Sequence, residues 1–178
     1  MEIWNTFTKR ILIDKPLGTV YECWSTKSKS EVWFLEKADF YLGKEVRSPN
    51  ESAQKGDTFI WKWNNWDFIE KGEILAANNK DSISFTFGSG GNVHVKLKTV
   101  GNATQVTLTQ DEIPTDDESK MKVFVGCITD WTFWMANLKA YLEHGITLHV
   151  KANLNLICFL TTFSLRTEQR KKIQPQYI

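Results

Sequence analysis

Two hydrophobic periods meet at Pro114, and the change between them limits what this 178-residue chain can become. Before it, runs such as Phe59-Ile60-Trp61-Lys62-Trp63 and Ser82-Ile83-Ser84-Phe85-Thr86-Phe87 place apolar side chains at every second position, the period of a strand with one buried face. After it, Phe124, Ile128, Trp131, Met135, Leu138 and Leu142 recur every three or four residues, with Cys127, Trp134 and Tyr141 on the same stripe, the period of an amphipathic helix. A helix with so wide an apolar face must bury it, and the only surface large enough is the concave side of a sheet. Eight tryptophans and eleven phenylalanines make the space between them aromatic.

Ile3 to Ile13 alternates as a first strand, with Phe7, Ile11 and Ile13 on one face. Asp14-Lys15-Pro16 stops it, and because proline suits a first helical turn, Pro16 to Ser25 reads as a short helix turning Val20, Cys23 and Trp24 inward. A second short helix follows around Ser30 to Phe34. Glu36 to Gly56, with its charges, Gly43, Pro49 and Asn50, reads as a long surface connection. A meander of five strands comes next: Asp57 to Asn64, Trp66 to Ala76, Ser82 to Phe87, Asn92 to Val100 and Thr104 to Glu112. The turns between them, such as Gly88-Ser89-Gly90-Gly91 and Gly101-Asn102, hold residues that tolerate positive φ, so neighbouring strands should pair antiparallel. The long helix is expected from Ser119 to His144, with Gly145 as its stop.

Charge and cysteine usage exclude several functions. A formal charge of +1 gives no basic field for a phosphate backbone, so nucleic acid is not an expected partner. Cys23, Cys127 and Cys158 are far apart, without the spacing of a zinc or redox motif, and read as buried, reduced thiols. The polar N-terminus lacks the apolar segment of a secretory signal, which points to the cytoplasm. The longest apolar run near the C-terminus, Leu156 to Leu160, is far short of the roughly 20 residues of a spanning helix, so no stable membrane insertion is expected.

No catalytic constellation is visible. His94, His144 and His149 have no nucleophile or carboxylate at suggestive spacing; His94 falls on a wet strand face and His144 in the last helical turn. No metal cluster is visible and no cofactor is expected, since Gly88 to Gly91 joins two strands instead of opening a helix. Asp111, Glu112, Asp116, Asp117 and Glu118 form a solvated loop before the helix or a docking surface for a basic partner. Arg166, Arg170, Lys171 and Lys172 follow an apolar patch from Leu154 to Phe163, as a frayed tail or a weak membrane contact. Trp61, Trp63, Phe85, Phe87, Trp131 and Trp134 remain as the surface best suited to an apolar ligand, because flat rings build apolar walls and an indole N–H can orient a polar head. Ordinary core packing accounts for the same alternation.

The order of elements resembles the helix-grip fold of the START-like, birch-pollen-allergen-like (SRPBCC) superfamily. Ile11 to Pro16, then Val20-Tyr21, then Val32-Trp33-Phe34 is similar to the opening of the family named after the activator of the 90-kDa heat-shock protein ATPase. Gly56-Asp57-Thr58-Phe59, Lys71-Gly72-Glu73-Ile74, Thr104 to Leu108 and Gly126 to Leu142 follow that family in order and spacing. The resemblance implies an α+β domain over residues 1–145, a curved antiparallel sheet wrapped around a long C-terminal helix with two short helices after the first strand. Residues 146–178 would be a poorly ordered extension. It also implies non-catalytic binding of a small apolar or amphipathic molecule, such as a lipid, between sheet and helix, with Trp33, Val95, Ile128, Met135 and Leu138 joining the six aromatic residues as its lining. A protein-interaction module that meets a chaperone or another protein is the alternative. A cyclase- or hydrolase-type enzyme is a third class.

Overall fold

The computed structural model describes residues 4–64 and 68–149. β1 (Phe7–Ile13) leads into α1 (Leu17–Ser25) and α2 (Lys27–Trp33). Next come β2 (Lys37–Leu42), β3 (Glu45–Val46), β4 (Thr58–Lys62), β5 (Ile69–Ala77), β6 (Ser82–Thr86), β7 (Asn92–Val100) and β8 (Ala103–Asp111). Then follow α3 (Asp117–Ser119), a π-helical stretch at Lys120–Phe124 and the long α4 (Val125–His144). Every strand pairing is antiparallel, in the order β1-β8-β7-β6-β5-β4-β2-β3, and a register shift between Ile74 and Ala76 interrupts the β5–β6 pairing. The result is the helix-grip α+β architecture.

The largest departure from expectation lies between Glu36 and Gly56, which holds β2 and β3 in place of a surface connection. Charge concealed β2: Asp39 is buried between Ala38 and Phe40, and Lys27 and Lys37 pair with its carboxylate at 2.5 and 2.7 Å. Ala38 and Phe40 face Trp61 and Phe59, while Lys37, Asp39 and Tyr41 take the other face, so the strand period is present but runs for only six residues among charges. β1 starts at Phe7, not Ile3, and the long helix is preceded by α3 and the π stretch instead of running evenly from Ser119.

α4 is fastened to β1 by polar contacts at its C-terminal half. Lys139 Nζ donates to Leu12 O at 2.7 Å, and the Asp14 N–H donates to Glu143 Oε1 at 2.7 Å. Gly145 then closes the helix in the left-handed conformation, its N–H bonded to Tyr141 O. Trp131, Met135 and Leu138 are buried against the sheet, while Phe124 is only half-buried and meets Trp4 and Phe7 edge-on at 5.2 and 5.6 Å.

Candidate functional site

Of the eleven expected lining residues, Trp33, Trp61, Trp63, Phe85, Val95, Trp131, Met135 and Leu138 are buried, and Phe87, Ile128 and Trp134 are half-buried. All share one core cluster between sheet and helix. At its centre stands Phe34, which sequence reasoning placed at a helix end but not in the site. Its ring stacks on Trp33 at 4.9 Å and Trp131 at 5.5 Å, and meets Trp63, Trp134 and Trp61 edge-on at 4.9, 5.3 and 5.8 Å. The uninterrupted Trp33-Phe34-Leu35 run at the end of α2 was the available signal, since three successive apolar residues cannot all be surface. Trp61 stacks on Phe59 at 4.0 Å and meets Phe85 at 5.2 Å, so the rings form one continuous set.

The indole N–H groups in this set divide into two kinds. Trp131 Nε1 donates to Gln110 Oε1 at 2.7 Å, and Gln110 Nε2 donates to Gly90 O at 2.7 Å, a chain that pins α4 to β8 and to the β6–β7 turn. Gly90 is needed there, because a Cβ would stand 2.6 Å from Gln110 Nε2. Trp33 Nε1 donates to Cys23 O at 2.9 Å, and Asn137, fully buried on α4, donates to Trp33 O. Trp24 and Trp61 differ: both indole nitrogens are buried and neither has a hydrogen-bond partner. A buried donor left unmade costs about 1–3 kcal/mol.

A second feature missed by sequence reasoning is a carboxyl on the inner face of the sheet. Glu70 of β5 pairs directly across from Trp61 of β4 and is 7% exposed. Burial raises its pKa, against which the Gly88 backbone N–H stabilises the charged form. Gly88 has φ +46°, and a Cβ there would lie 3.0 Å from both Glu70 carboxyl oxygens, so glycine lets the turn approach the acid. On α4, Asp130 is exposed to water, yet the surrounding protein raises its pKa. Both acids act on Cys127, whose thiol pKa is raised by burial first, lowered by the Gln110 hydrogen bond, then raised by Asp130 and Glu70. The alternating pattern of β5 offered a clue, because Glu70 and Ile74 occupy the same face.

The remaining candidates have structural partners. His94 contacts Ser84 Oγ at 2.9 Å and Asp111 Oδ1 at 3.2 Å, and His144 is exposed at the end of α4. His149 contacts Asn137 and packs on the Trp134 ring at 5.3 Å. Cys23 is buried, with its pKa pushed up to about 12, which leaves no thiolate at neutral pH. Cys127 is only half-buried, contrary to expectation, and Cys158 lies outside the described residues, as do Trp66 and the Leu154 to Phe163 patch. Among the described residues, no group of three or more His, Cys, Asp or Glu is placed to hold a metal, and no helix is long and apolar enough to cross a membrane. Of the expected extension, residues 146–149 are described: Leu148 donates its N–H to Asn137 Oδ1, so the chain turns back along α4 after Gly145.

Comparison with known proteins fits this architecture. A solved protein of Staphylococcus saprophyticus superposes with a TM-score of 0.66 at 21% identity, over 82% of this chain and 96% of its own. The Aha1 dimer of Colwellia psychrerythraea gives 0.59 at 18% identity, over 79% of this chain and 97% of its own. DynU16, from the dynemicin biosynthetic locus, gives 0.63 at 16% identity, over 83% of this chain and 50% of its own. No curated protein matches the chain. Residues 14–143 match the family described as Activator of Hsp90 ATPase homolog 1-like protein. The chain therefore belongs to the Activator of Hsp90 ATPase homolog 1-like family, within the SRPBCC superfamily.

Proposed function

We propose that this protein binds a small apolar or amphipathic molecule, without catalysing a reaction, in the aromatic interior between the sheet and α4. The observation that carries this reading is the pair of buried indole N–H groups of Trp24 and Trp61. Buried donors in folded proteins are nearly always paired, and an aromatic interior that leaves two of them unpaired suits a guest that brings an acceptor. Flat walls from Trp61, Trp63, Phe87 and Trp134 would receive the apolar body, with Phe34 as the ring a guest displaces.

The test is uptake of Nile red, a neutral environment-sensitive dye, with native mass spectrometry of the purified protein. One dye per chain, a blue shift and quenching of tryptophan emission are expected, with a co-purified small molecule as further support. No dye uptake and a bare mass would remove the reading. A protein-interaction module would then lead, favoured by Leu42 and Val46, both exposed at the β2–β3 edge of the sheet, where a partner strand or loop could pair.

A further inference from the structure

We infer that the interior selects ligands carrying a basic amine, with Glu70 as the counter-charge and the neighbouring aromatic rings as the cage. This deepens, and rests on, the proposed reading of the interior as a binding site. Glu70 points to the inner face, directly opposite Trp61 and one diagonal step from Trp63, where the buried residues of the neighbouring β4 and β6, Phe59, Trp61, Ile83 and Phe85, are aromatic or aliphatic. The Gly88 N–H beside it favours its charged form, and no lysine, arginine or histidine pairs with it among the described residues. The lysines of the same hairpin are spent elsewhere: Lys62 pairs with Glu36, and Lys71 alternates onto the opposite face of β5.

A carboxylate in such a place lacks compensation until a cation arrives. Trp63 lies 6.0 Å from Trp134 and 6.2 Å from Phe87, an arrangement whose π faces attract an ammonium group that has shed its water. A neutral apolar guest would use the rings and leave Glu70 unanswered.

The experiment compares 4-phenylbutylamine with 4-phenylbutanol, equal in shape and differing in charge, by calorimetric titration of the full chain at neutral pH. The amine is expected to bind about tenfold more tightly or better. Glu70→Gln, which keeps an acceptor for the Gly88 N–H, should erase that preference while preserving affinity for the alcohol. Equal affinities in the native protein, or a preference that survives Glu70→Gln, would overturn the inference and leave the apolar-site reading standing. Binding of neither probe would overturn both. If Glu70→Gln does not fold, the native carboxyl ¹³C resonance of Glu70 decides: movement toward the ionised position with the amine alone supports the inference, and no movement with either probe overturns it.

Discussion

The two halves of the interior treat buried polar groups in opposite ways. Toward β8, Trp131, Gln110 and Gly90 form a closed chain of hydrogen bonds, and Asn137 closes another between α4 and α2. Toward β4 and β5, the Trp61 N–H has no acceptor and Glu70 has no counter-charge. The same contrast separates two acids of the sheet: Asp39 is held by Lys27 and Lys37, while Glu70 is left to its burial. One half is completed by the protein itself and holds the helix in place. The other leaves polar groups without partners, which is what the proposed binding surface requires.

The largest expected effect lies on the finished side. Trp131→Ala should cost about 3–5 kcal/mol in urea unfolding, because it empties a buried ring volume, and it also strands Gln110. A loss below about 1 kcal/mol would mean that this seam is not what anchors α4.

Replacing each indole by phenylalanine sharpens the comparison. Trp131→Phe leaves the buried Gln110 acceptor unpaired, whereas Trp61→Phe removes a donor that had no partner. The first should therefore be less stable than the second by about 1–3 kcal/mol. Equal losses would show that the Trp61 N–H is satisfied in solution.

A smaller effect follows from pH. The pKa of Glu70 is raised in the fold, so between its ordinary value of 4.5 and the raised value the native state binds more protons than the unfolded chain. Its contribution to stability accordingly falls as pH rises through that window. Glu70→Gln removes this penalty, and the variant should gain on the native protein from acid to neutral pH in paired thermal melts. Asp39 runs the other way: burial opposes its ionisation, but Lys27 and Lys37 bring its pKa below the ordinary value, so its contribution is lost as pH falls through the lowered pKa. Asp39→Asn should therefore lose stability mainly at neutral pH and converge with the native protein in acid.

The finished half was the more legible in the sequence. The spacing of Trp131, Met135 and Leu138 marks the buried stripe of α4, and the alternation of Val93, Val95 and Leu97 marks the inner face of β7, because burial writes itself into period. β2 was hidden because its period is only six residues long and its outer face carries Lys37 and Asp39, so the segment reads as a charged connection, and the Lys27 partner that helps bury Asp39 comes from another element. Phe34 follows the last residue of α2, so no period includes it. Glu70 reads as one more charge in Glu70-Lys71-Gly72-Glu73; it shares a face with Ile74, but Ile69 on the other face is apolar too, so the alternation of β5 is ambiguous until its pairing with Trp61 shows which face is inner. The features that make the second half unfinished depend on partners missing in space, and a missing partner leaves no mark in sequence.

The most direct test of the account is a ¹H–¹⁵N spectrum of the protein labelled at its tryptophan indole nitrogens, recorded while 4-phenylbutanol is added. The Trp61 N–H resonance, the Trp24 one, or both should move along a saturating curve as a guest supplies an acceptor, while those of Trp131 and Trp33, already bonded to Gln110 and Cys23, stay close to their starting positions. Unmoved Trp24 and Trp61 signals, or equal movement of all four, would contradict it.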